Sequence, residues 1–122
     1  MRAVDDYFIA MAKHDFDLLA TAVAADVVRT GPYGDAYVGR VDYVEFIAGL
    51  LPSLPGHTLD VLRLTSTDDG RRVFAEITET VTVDGAPLVT PEVIVLDLDR
   101  DGLINRIDIF IKSSPDRTKA GG

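Results

Sequence analysis

Apolar positions recur every three or four residues over the first half of the chain and every second residue over the second half. The pattern therefore predicts helices followed by strands. Val4, Tyr7, Phe8 and Met11 form one stripe and predict a helix from Met1 to Lys13. His14-Asp15 interrupts it, and Asp15 is a suitable N-cap for a second short helix carrying Phe16, Leu19 and Val23 to about Ala25. Val27 to Thr30 is a short, β-branched strand, and Gly31-Pro32-Tyr33-Gly34 breaks the chain. A third helix is expected from about Val41 to Leu51, with Phe46, Ile47, Leu50 and Leu51 inward and Pro52 and Pro55 ending it.

Strands are expected at His57 to Ser66, Arg71 to Val83, Pro87 to Leu98 and Leu103 to Lys112. Thr67-Asp68-Asp69-Gly70 and the two-residue signal Asp84-Gly85 mark reversals between them. The predicted fold class is α+β, with helices packed on one face of an antiparallel sheet. Residues 1–112 form one domain, and 113–122 are a polar tail expected to fray.

The stretch DLDRDGLINRID, from Asp97 to Asp108, fills the ligand positions of a calcium-binding loop. Its flanks are Val93 to Leu96 and Ile107 to Ile111, both β-forming, whereas such a loop joins two helices. Asp and Gly are also what a tight strand reversal needs, so a hairpin turn is expected, with at most weak cation binding from Asp97 to Asp101.

Composition narrows the class further. A chain of 122 residues with 47% hydrophobic and 26% charged residues is one self-folding domain. The net charge of −8 opposes binding to nucleic acid or to an anionic membrane. No cysteine is present, which removes disulfides, thiolate metal sites and a thiol nucleophile. With only two histidines, His14 and His57, no transition-metal site is expected. His14 is expected to be a solvated cap neighbour, and His57 to be exposed at a strand start. Neither a secretory leader nor a membrane span is legible, so the cytosol is the expected compartment.

The candidate chemistry comes from broken alternation. Val73, Ala75, Ile77, Val81 and Val83 share one face of their strand, and Glu79 falls on that face. With Asp84-Gly85 closing a two-residue loop, Val81 opposes Leu88, Glu79 opposes Thr90 and Ile77 opposes Glu92. Glu79 and Glu92 are then diagonal neighbours, roughly 7 Å apart. A bulge at Pro91 would instead turn Glu92 to solvent. In an apolar setting, desolvation and repulsion push one carboxyl upward in pKa, so one acts as base and the other as acid. Arg29, in phase with Gly31, is expected to face the same cavity and to pair with either glutamate; Tyr33 and Tyr37 are expected at its rim. The wall is assigned to Ile77, Ile94, Ile107 and Ile109. The opposite face carries Phe74, Val93, Val95, Asp108 and Phe110, and a homodimer through it is expected.

The order of elements, with Ala25-Asp26-Val27-Val28, then Gly31-Pro32-Tyr33-Gly34, then Gly39-Arg40 before the third helix, resembles the nuclear transport factor 2-like superfamily. That superfamily includes ketosteroid isomerase, limonene epoxide hydrolase and the SnoaL-like polyketide cyclases. The resemblance covers about residues 3–112 and implies a cone-shaped, cystatin-like fold with three helices on the concave face of a curved sheet. It implies an oxyanion-hole role for Tyr7. The slots for the isomerase's catalytic base and second oxyanion acid fall at Gly31 and Ile94. The hydrolase's arginine and last-strand acid fall at Ile77 and Ile109, and only Glu79 matches one of its acids. The expectation is a cofactor-independent enzyme with Glu79, Glu92 and Tyr7 as its catalytic groups. It would perform isomerisation, aldol-type cyclisation or epoxide opening on a hydrophobic oxygenated small molecule. The alternative is a non-catalytic ligand-binding or dimerisation domain of the same fold.

Overall fold

The structure is a computed structural model, and it describes residues 2–112. The expected tail at 113–122 and the expected helix start at Met1 lie outside the described residues. The elements are α1 (Arg2–Lys13), α2 (Phe16–Ala22), β1 (Val23–Thr30), β2 (Ala36–Val38), α3 (Arg40–Ser53), β3 (Thr58–Ser66), β4 (Arg72–Val83), β5 (Ala86–Leu98) and β6 (Ile104–Ile111).

The helices form for the reasons visible in the sequence. The α1 stripe of Val4, Tyr7, Phe8 and Met11 is buried. The helix closes when the Asp15 amide donates to the Ala10 carbonyl at 2.9 Å, with His14 held in the left-handed region at φ 55°. Asp15 then caps α2, its side chain accepting from the Leu18 amide at 3.0 Å. In α3 the fully buried positions are Tyr43, Ile47 and Leu51, one turn apart along one face.

All six strands belong to one sheet in the order β2-β1-β6-β5-β4-β3. The strands β3 to β6 form the expected antiparallel meander. Two features differ from the sequence reading. The strand β1 begins at Val23, where a longer α2 was expected, and it lies parallel to β6, so the sheet is mixed. The short β2, inside the Gly-Pro break, pairs antiparallel with β1 through Val28↔Val38 and Thr30↔Ala36. Such a parallel pair joins segments distant in sequence, and nothing in local alternation encodes it. The segment at Asp97 to Asp108 holds the expected reversal, with the β5–β6 turn lying between Leu98 and Ile104. Asp99 accepts there from the Asp101 and Leu103 amides at 2.9 and 3.0 Å. Among the described residues, no group of His, Asp and Glu is arranged to hold a metal ion, and no helix is long and apolar enough to cross a membrane.

The core lies between the helices and the inward sheet face. Val73, Ala75, Leu96, Ile104 and Ile107 fill one end of that face completely. Toward the β4–β5 hairpin the inward positions become Glu79, Val81, Leu88, Thr90 and Glu92, and packing gives way to a cavity.

Candidate active site

The β4–β5 register sets the site. Val83↔Ala86 closes the hairpin, and Val81↔Leu88, Glu79↔Thr90 and Ile77↔Glu92 follow without a bulge at Pro91. Inward alternation therefore continues through Pro91, and both glutamates face the helices. They line a cavity of about 420 Å³ together with Tyr7, Arg29, Tyr33, Tyr43, Ile94 and Ile109. Its remaining wall is mostly aliphatic, including Met11, Ile47, Leu51, Leu54 and Ile111.

Not every expected wall residue is there. Ile77 and Ile107 are almost fully buried in the core and do not line the cavity. Ile107 pairs with Leu96, toward the filled end of the sheet. Tyr33 lines the mouth while remaining 85% exposed, and Tyr37 stacks on Phe46 at 3.9 Å between ring centroids.

Arg29 faces the cavity, but its ion pair differs from the expectation. Its partner is Asp35 at 2.9 Å, with the Phe46 ring 5.0 Å from the guanidinium carbon. Gly31 makes the pair fit: a Cβ there would meet Asp35 Oδ1 at 2.4 Å and Arg29 Nη1 at 2.6 Å. Asp35 thus brings a carboxylate beside the place where residue 31 has no side chain. The Nε of Arg29 is buried with no partner at hydrogen-bond distance among the described residues.

The larger correction concerns the histidines. His57 is buried, and its Nε2 lies 2.6 Å from Glu79 Oε2 while its Nδ1 lies 3.1 Å from His14 Nε2. The loop before β3 puts it there. The Thr82 amide donates to the Pro55 carbonyl at 2.7 Å, tying the loop to β4. Gly56, at φ 64°, allows the close pass, since a Cβ would meet Thr82 Oγ1 at 2.5 Å. Leu59 is inward and pairs with Glu79, so His57, two residues earlier, shares its face. That parity was available in the sequence. His14, far from being a solvated neighbour, is half-buried at the end of α1 against His57.

The electrostatics follow from burial. The Glu92 carboxyl is pushed up to about 8, first by desolvation, then by the charge of Glu79 and a hydrogen bond with it, with Arg29 pulling the other way. Burial raises the Tyr7 and Tyr43 hydroxyls well above the ordinary phenol value, so both remain neutral donors near pH 7. The Tyr43 hydroxyl has no partner at hydrogen-bond distance among the described residues, although Tyr7 is near enough to influence it. Tyr43 was missed in the sequence; its spacing with Ile47 and Leu51 was the available signal.

Three helices on one face of a mixed six-stranded sheet, with carboxyls and phenols converging on a mostly apolar cavity between them, define an α+β class of domain. Within that class, the sequence profile of the SnoaL-like domain matches residues 4–107, and the chain belongs to that family. Its structure is similar to that of an LEH-like epoxide hydrolase from M. tuberculosis, at 20% identity and TM-score 0.77, covering 91% of this chain and 80% of that one. It is also similar to a protein with a ketosteroid isomerase-like fold from Catenulispora acidiphila, at 18% identity, TM-score 0.79 and coverage of 98% and 92%. A third likeness is to SalBIII, an epoxide hydrolase/cyclase-like enzyme in pyran ring formation in polyether salinomycin, at 18% identity, TM-score 0.78 and coverage of 91% and 88%. Identities this low establish the shared fold. No curated protein matches the sequence.

Proposed function

We propose that the domain is a cofactor-independent enzyme that moves a proton on a hydrophobic, oxygen-bearing small molecule held in the cavity. The observation that carries this reading is the inward carboxyl pair, one member of which is held protonated near neutral pH by burial and by its neighbour's charge. Glu79 acts as base and Glu92 as acid. Tyr7 and Tyr43 supply neutral donors for oxygen that becomes negative during the reaction. Ile94, Ile109 and the helix side chains give the apolar fit, with Arg29 and Tyr33 at the polar side of the cavity. Isomerisation, aldol-type ring closure and epoxide opening all begin with such a transfer beside an activated oxygen. We also propose that two copies associate through the outer sheet face.

The test uses 2-tetralone, an apolar ketone with acidic C–H bonds beside its carbonyl. In deuterated water the protein should speed deuterium uptake at those carbons, read by mass spectrometry, and Glu79→Gln should lose most of that acceleration. Equal acceleration by the wild type and Glu79→Gln would overturn the reading in favour of a binding domain.

A further inference from the structure

We propose that His14 and His57 are positioning residues that decide which carboxyl of the pair carries the charge. Granting the acid–base reading above, they make Glu79 the base and leave the proton on Glu92.

The argument begins with the His57 ring. Its side chain has no solvent exposure, and each ring nitrogen has one partner: His14 at 3.1 Å on Nδ1 and Glu79 at 2.6 Å on Nε2. A neutral imidazole has one N–H and one bare nitrogen, so the two contacts are linked. When His14 Nε2–H donates to Nδ1, the proton of His57 must sit on Nε2, facing Glu79 Oε2. A donor held at that oxygen favours the ionised form of Glu79.

Glu92 has no equivalent. Among the described residues no ring or guanidinium nitrogen is hydrogen-bonded to it, and Arg29 acts on it only through its charge. The groups that face Glu79 are His57 from the loop before β3, Glu92 from β5, Tyr7 from α1 and Tyr43 from α3. The protonated Glu92 carboxyl is also hydrogen-bonded to Glu79, but among the described residues His57 is the one ring at hydrogen-bond distance and has no counterpart on Glu92, so it tips the pair beyond what the desolvation of Glu92 does.

The backbone supports a role for the second ring. His14 holds a left-handed conformation, at φ 55°, in the closing turn of α1, where glycine or asparagine is the usual residue. That conformation sets the imidazole against the His57 ring, with the two ring centroids 5.3 Å apart.

The experiment is a carboxyl ¹³C NMR titration, with long-range ¹H–¹⁵N spectra of the two histidine rings. In the wild type, Glu92 should be the carboxyl that titrates late, and His57 should show a single tautomer with its proton on Nε2. In His57→Leu the Glu92 midpoint should fall by roughly one pH unit or more. His57→Gln, whose amide N–H can still donate to Glu79, should restore the wild-type midpoint. His14→Asn, which accepts the left-handed backbone, should turn the His57 spectrum into a mixture of tautomers without loss of fold. An unchanged Glu92 midpoint in His57→Leu would overturn the proposal. So would an equal fall in the Leu and Gln variants, which would reduce His57 to packing. These readouts need no turnover, so 2-tetralone results that sink the acid–base reading would leave them standing.

Discussion

Glu92 is the residue whose setting most changes its chemistry. Its carboxyl is pushed to about 8 in the fold against an ordinary value near 4.5. Between those values the native state holds a proton that the unfolded chain has lost, so native stability falls as pH rises through that window and levels off above about 8. Replacing Glu92 by Gln should remove most of this slope. Urea unfolding at a series of pH values between 5 and 9 checks it, and matching slopes for the two proteins would show that Glu92 is not held protonated. At this scale the glutamates were legible because a charged side chain on an otherwise apolar face breaks a strict alternation. Tyr43 was less so, because helical burial hides whether a hydroxyl finds a partner. Arg29 lines the cavity, and its partner was not foreseen, since Asp35 reaches it only across the bare backbone of Gly31.

At the scale of elements, the β4–β5 hairpin carries the site. A two-residue turn at Asp84-Gly85 fixes every pair down to Arg72↔Asp97, and a slip of β5 by one residue would have turned Glu92 outward and parted it from Glu79. Asp-Gly suggested this register, but a bulge at Pro91 remained open in the sequence until the continuous pairing through Thr78↔Pro91 closed it. The loop ahead of β3 was not legible, because its course depends on the backbone tie between Pro55 and Thr82. Gly56 belongs to that tie, and an alanine there would meet both a positive φ and the Thr82 hydroxyl. Gly56→Ala should cost about 1 kcal/mol or more of stability. It should also loosen His57 from Glu79, read as broadening of the His57 ring signals. Wild-type stability with unchanged ring signals would mean that the loop is not what positions the imidazole.

For the whole molecule, the meander and the helix layer follow from periodicity, whereas the parallel seating of β1 beside β6 is set by long-range pairing. The outer sheet face remains apolar at its centre, with Phe110 60% and Phe74 38% exposed beside Val93 and Val95. The ion pairs Arg63–Glu76, Arg72–Asp97 and Arg106–Asp108 are satisfied within the chain around it. The proposal that a second copy covers this face rests on its paired charges and on the same apolar centre that each copy would offer. Light scattering at micromolar concentration should give a dimer mass for the wild type and a monomer mass for Phe110→Lys with unchanged circular dichroism. A monomeric wild type would contradict the association. The account as a whole depends on proton transfer inside the cone, and the most direct measurement is the pH profile of 2-tetralone deuterium uptake. Wild-type acceleration should fall above about pH 8 as Glu92 loses its proton, and that limb should vanish in Glu92→Gln. A wild-type profile that runs flat through that region, or the same falling limb in Glu92→Gln, would contradict it.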